Sequence, residues 1–342
     1  MSIDVPGELA PVGPVDATPP RRPGSLRRTT TIDMTWADGL GTTLTLSGRG
    51  RDLLTDAAGE AEVLGEQRVE VTVTPERRVE RLVITDVGTG ATEELPQLLG
   101  VSAMGGFRTA IERLAPGVID AHAPSSLLVD DTPGATLISG FAFSRWTELP
   151  VLLEAARANG QVRSMEGICT GFMPGSSGLA PDGTSRWSHR TRAVRPLADD
   201  ADPLAWHEVP EVTGTAMRRM RRIDVWLEDD LIRVDAMFQD SSTTPSGGRE
   251  AVHEYTLQGE ASLRTLELTR VEPVARVLPY AECPLAVRQV DRLLGVRLGD
   301  LRAVVLDRLK GTAGCTHLND ALRALADVPH LVDLLRQTSP EN

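Results

Sequence analysis

Residues 221–241 read RRIDVWLEDDLIRVDAMFQDS. Apolar and polar residues alternate on both sides of Glu228–Asp230, the signature of a β-hairpin with its turn at those three residues. Residues 251–271, AVHEYTLQGEASLRTLELTRV, predict a second hairpin. ECPLAVRQVDRLLGV and LGDLRAVVLDRLKG follow with helical character, and HLNDALRALADVPHLVDLLRQ predicts one or two closing helices. The half-chain order is therefore hairpin, hairpin, helices.

Working back along the chain, the first half repeats that order. TTTIDMTW (29–36) and TTLTLSGR (42–49) flank Ala37-Asp38-Gly39-Leu40-Gly41, a hairpin signal. VEVTVTPERRVERLVITDV (69–87) turns near Pro75–Arg77, and Leu98, Leu99, Phe107, Ile111 and Leu114 then fall near helical spacing. Leu98-Leu99-Gly100-Val101 matches Leu293-Leu294-Gly295-Val296 at an offset of 195 residues, as do Glu112-Arg113-Leu114 with Asp307-Arg308-Leu309 and His122 with His317. Ile32-Asp33-Met34 matches Ile223-Asp224-Val225 at an offset of 191. The shared order predicts an internal duplication. The expected fold is α+β, with antiparallel β-hairpin sheets covered by helices, in two pseudo-symmetric copies.

The copies are expected at residues 27–130 and 189–338. Residues 1–26 carry six prolines and predict a disordered tail. Residues 131–188 predict a connecting strand (TLISGFAFSRW), a short helix ending at Gly160, and a Gly-rich loop (167–187).

Composition bounds the function. The chain has 342 residues, 41% hydrophobic and 25% charged, ample for a buried core. A net charge of −12 without a basic block argues against nucleic-acid partners and anionic membranes. No apolar run nears the roughly 20 residues of a spanning helix, and the start lacks the pattern of a secretory signal. Three cysteines argue against a disulfide framework and for a cytoplasmic setting. Lys310 is the sole lysine among 36 basic residues, the usage of a GC-rich bacterial genome. Arg218, Arg219, Arg221 and Arg222 read as a solvated basic face, and Asp224 and Asp240 as strand-bracketing residues. Phosphate-binding, nucleophile-elbow and HExxH motifs are absent from the sequence.

GTAGCTHLND (311–320) carries the candidate chemistry. Cys315 opens a helix, where the dipole favours a thiolate. Cys315 and His317 have spacing that lets both face one metal ion, with Asp320 orienting the imidazole. Cys283, Cys169 and His253 are further donors. Glu282, beside Cys283, is the nearest carboxylate for acid–base work. Three readings follow. The first is a zinc or iron enzyme acting on a small organic substrate, with Cys283, Cys315, His317 and Cys169 at the metal and Glu282 and Asp320 as catalytic groups. The second is a non-enzymatic metal or scaffold protein. The third is a metal-free module with buried cysteines. Cys315 as a nucleophile is a variant of the first. His122, the counterpart of His317, reads as a surface or capping residue, so the first copy carries a degenerate site.

The 221–241 hairpin, VHEYTL, ECP and above all LKGTAGCTHLNDALRALADV resemble the bacterial domain-of-unknown-function family 2889. That resemblance implies a fold type and a cytoplasmic bacterial setting. A remoter similarity, to iron–sulfur cluster assembly scaffold proteins, rests on a hairpin, a cysteine at a helix start, and a later cysteine beside a ligating residue. It implies Cys283, Cys315 and His317 as ligands.

Overall fold

The computed structural model describes residues 3–158, 164–187, 190–198 and 202–338. Ten strands form one open antiparallel sheet: β1 (Ser25–Trp36), β2 (Leu44–Thr55), β3 (Ala61–Val73), β4 (Val79–Asp86), β5 (Thr92–Glu94), β6 (Arg192–Val194), β7 (Ala216–Glu228), β8 (Leu231–Thr243), β9 (Arg249–Ser262) and β10 (Leu268–Val277). Their order is β10-β9-β8-β7-β1-β2-β3-β4-β5, with β6 added to β9. All four expected hairpins form. Two turns use left-handed non-glycine residues, Arg77 (φ 63°) and Asp229 (φ 55°).

Each half contributes a meander of hairpins, and the two join along β1 and β7, where Thr30 faces Arg221. Ion pairs mirror each other across this seam. Arg27 donates Nε and Nη2 to Asp224 (2.6 and 2.8 Å), and Arg218 donates the same two groups to Asp33 (2.6 and 2.9 Å). Arg28 likewise clasps Asp52 (2.7 and 2.7 Å), and Arg219 clasps Asp240 (2.9 and 3.1 Å). Gly100 and Gly295 both adopt positive φ (75° and 77°), which a side chain would strain. Each donates its N–H to a strand carbonyl, Val79 and Leu268 respectively, at 2.8 Å.

Helices cover one face: α1 (Phe107–Leu114), α2 (Pro116–Asp120), α3 (Pro124–Asp130), α4 (Thr132–Ser139), α5 (Phe143–Trp146), α6 (Leu149–Ala158), α7 (Leu301–Arg308), α8 (Thr316–Arg323) and α9 (Val328–Thr338). Beneath them lie two apolar clusters, one centred on each half. The other face carries a smaller cluster of Leu197, Ala205, Trp206, Met220 and Met237, with Val15 packed on it. β1 and β7 are buried on both faces. Alternate arginines therefore turn to opposite sides, since successive strand residues do.

Three expectations need correction. The proline-rich N-terminus is no free tail. Val12 and Gly13 donate to the carbonyls of Ala275 and Arg276, and Val15 donates to Glu254 Oε1 at 2.5 Å. A 3-10 turn at Gly7–Leu9 precedes these contacts, and the prolines narrow the backbone freedom that ordering the segment must overcome. The stretch TLISGFAFSRW is helical, spanning the second half of α4, a short 3-10 turn (Gly140–Ala142) and α5. Pro133 at the start of α4 suits a first helical turn, and an apolar run alone does not distinguish strand from buried helix. Arg218, Arg219, Arg221 and Arg222 are buried, not solvated, because each meets a carboxylate; Asp224 and Asp240 are buried mid-strand partners and not brackets. The expected helix end at Gly160 lies outside the described residues.

Candidate metal centre

The site grows from one row of the sheet. Arg219 on β7 faces Asp240 on β8, and Asp240 faces His253 on β9. The β8–β9 register shifts immediately after Asp240, a bulge of the kind that re-aims side chains beside functional sites. Helix α8 lays His317 over this row. Its ring stacks on that of His253, with centroids 3.4 Å apart and planes at 15°. His317 Nε2 lies 3.7 Å, and His253 Nδ1 4.0 Å, from Asp240 Oδ2.

Among the described residues, Asp240, His253 and His317 are the one set of three such donors whose ligating atoms all lie within 4.8 Å of each other. Asp240 is fully buried; His253 and His317 are 6% and 8% exposed. His317 Nε2 is buried without a hydrogen-bond partner among the described residues, an uncompensated cost unless something accepts its lone pair or proton. Burial, aided by the Arg219 charge, pushes the His317 imidazole down to about 3, so it is neutral and its lone pair is available. Burial raises the Asp240 carboxyl, against the pull of Arg219. Two imidazoles and a carboxylate without sulfur suit zinc or ferrous iron.

A second layer of charge surrounds the triad. Arg219 Nη1 also reaches Asp320 (3.0 Å), Arg221 Nη2 holds both oxygens of Asp131 (2.8 Å each), and Arg108 donates to Asp320 at 2.7 Å. Gly134 in α4 closes the layer, since a Cβ there would overlap Asp320 Oδ2 and Arg219 Nη1.

The expected ligands are distributed differently from the sequence reading. His317 joins the triad, and His253 moves from spare donor to member. Asp240, expected to bracket a strand, becomes the third donor, because β8 pairs with β9 in the register that sets it opposite His253. Cys283 and Cys315 are buried and Cys169 half-buried, all as free thiols. Cys283, Cys315 and His317 do not form a set of donors within 4.8 Å. Desolvation overrides the helix dipole at Cys315 and pushes its thiol up, opposed by the amides of Leu318 and His317 and by the Tyr255 hydroxyl. Cys169 is pushed up to about 12 by burial and the neighbouring Cys315. Asp320 serves Arg108 and Arg219. Although burial raises its carboxyl, Arg108, Arg219 and Arg221 hold it well below the usual carboxylate range. Glu282 accepts from the Ser177 amide (2.9 Å) and hydroxyl (2.6 Å), anchoring the Gly-rich loop. His122 donates or accepts through Nδ1 at Asp327 Oδ1, 2.7 Å away, and its ring is one-third exposed.

Residues 217–331 match the model of a family described as a protein of unknown function, DUF2889. The matched segment holds all three donors. No curated protein matches the chain. Among solved structures, the crystal structure of lipopolysaccharide binding protein aligns with 70% of this chain and 66% of its own length. The identity is 7% and the TM-score 0.10. No helix among the described residues is long and apolar enough to cross a membrane.

Proposed function

We propose that this chain is a metal-binding protein whose centre is Asp240, His253 and His317, holding one zinc or ferrous ion. The carrying observation is the buried, unpartnered Nε2 of His317, stacked against His253 and aimed toward Asp240. The enzyme reading draws support from ligand number. Three protein donors leave a coordination position for water or a small organic substrate, as in catalytic zinc sites. Burial of all three donors favours a second reading, in which the ion serves structure or a scaffold role. The mirrored ion pairs across β1 and β7 support the internal duplication, with one metal-bearing half and one in which His122 turns to Asp327 instead.

The test is metal content per chain, by plasma mass spectrometry, on anaerobically purified protein. About one zinc or iron per chain, lost in His253→Ala and His317→Ala, is the expected result. An X-ray absorption spectrum with nitrogen and oxygen but no sulfur neighbours would identify the triad. Absence of metal from protein offered both ions would overturn the reading.

A further inference from the structure

All three cysteines of the chain converge on one buried place, although they come from three distant segments. Cys169 belongs to the Gly-rich loop, Cys283 to a 3-10 segment (Cys283–Leu293), and Cys315 to the N-cap of α8. Gly171 lies between two of them. A Cβ at that glycine would stand 2.7 Å from Cys283 Sγ and 3.9 Å from Cys169 Sγ, so only glycine leaves the sulfurs room. The loop is pinned over the third. Thr170 donates its amide and its hydroxyl to the Gly314 carbonyl, at 2.8 and 2.9 Å, one residue before Cys315.

A second observation points to a ligand. The Tyr255 hydroxyl is fully buried and has no hydrogen-bond partner by geometry among the described residues, although it neighbours the Cys315 thiol. Burying an unsatisfied hydroxyl is costly, and a metal-bound sulfur beside it would accept its hydrogen bond.

We propose that Cys169, Cys283 and Cys315 form a second cation site, selective for thiophilic d10 ions, separate from the Asp240 centre. In the structure the sulfurs are not all within 4.8 Å of one another. A trithiolate with metal–sulfur bonds of about 2.3 Å needs sulfurs about 4 Å apart. Binding therefore draws the sulfurs together. Each sulfur forms one bond to the ion and releases its proton to solvent, with no oxidation or reduction. Soft sulfur donors and the harder His–His–carboxylate set would then sort ions by softness between two sites whose donors Cys315 and His317 stand two residues apart at the start of α8.

The experiment is a cadmium titration of the reduced full chain under anaerobic conditions, read by the ultraviolet sulfur-to-cadmium charge-transfer band. One equivalent should saturate the band at the intensity of three thiolates. All three cysteines should become protected from a thiol reagent. Cys169→Ser, a half-buried and mild substitution, should cut the band by about a third and weaken binding at least tenfold. His317→Ala should leave the band intact, which separates this site from the Asp240 centre. Absence of a band from the reduced wild-type chain would overturn the proposal. So would an undiminished band in Cys169→Ser, or loss of the band in a folded His317→Ala chain. Circular dichroism of each variant establishes folding, and wild-type thiol protection reads the site without any substitution.

Discussion

Arg219 and Asp240 face each other directly across β7 and β8 and share a two-point ion pair, Nε to Oδ1 at 2.9 Å and Nη2 to Oδ2 at 3.1 Å. The pair is buried, and its carboxylate is also the one proposed to ligate metal with His253 and His317. Removing the Asp240 charge leaves Arg219 with Asp320 and Asp131 but strips Nε and Nη2 of their acceptor, which costs about 1–3 kcal/mol. Asp240→Asn should therefore lower unfolding stability by that amount in urea, as well as abolish metal binding. His317→Ala should abolish metal binding with a smaller loss of metal-free stability. Equal losses in the two variants would refute the assignment of Asp240 to both roles.

Gly134 gives a sharper test of the charged layer. Its missing side chain is what lets α4 approach Asp320 and Arg219. Gly134→Ala should destabilise the chain by about 2–4 kcal/mol through overpacking and a disturbed ion pair. Gly117→Ala, in α2 with nothing within 4 Å of the added carbon, should be neutral or slightly stabilising. Paired thermal denaturation of the two variants checks the contrast.

His207 sets an acid limit. Its ring is buried between the hydroxyls of Thr29 and Thr31, each 2.9 Å from a ring nitrogen. Burial, with help from Arg51, pushes it down to about 3. Between that value and the ordinary imidazole range, the unfolded chain binds a proton that the folded chain refuses. Stability is then present above about pH 6.5 and falls as pH drops from there toward 3, by several kcal/mol in all. His207→Gln should flatten this acid limb, measured as urea stability at about pH 7 and pH 4.5. An unchanged slope would exclude His207 as its source.

The N-terminal segment should act as part of the core. Thr18 donates to the Leu197 carbonyl at 2.7 Å and accepts from the Trp206 indole at 2.7 Å. A cavity of about 280 Å³ lies beneath it, bordered by Val15, Pro19, Leu197, Trp206 and Met237. Deleting residues 1–19 should expose Trp206, shift tryptophan emission to longer wavelength and lower stability. Unchanged emission would show that the segment is dispensable.

Local sequence by itself determined the hairpins, their turns and the helical runs. Period-two alternation, Asp-Gly turn chemistry and helical spacing act over a few residues, and the structure keeps them. The sequence also singled out His317 and the cysteines, because few residue types can ligate a metal. Tertiary structure alone decided the rest. The pairing of β1 with β7 joins residues almost 200 positions apart, so no local signal could reveal that Arg218–Arg222 are buried among aspartates. The same long-range register sets Asp240 opposite His253, and helix packing then turns His317 toward them and leaves Cys315 with the other thiols. The proline-rich N-terminus is ordered for the same reason: what it lacks in its own backbone hydrogen bonds is supplied by strands that the fold brings beneath it.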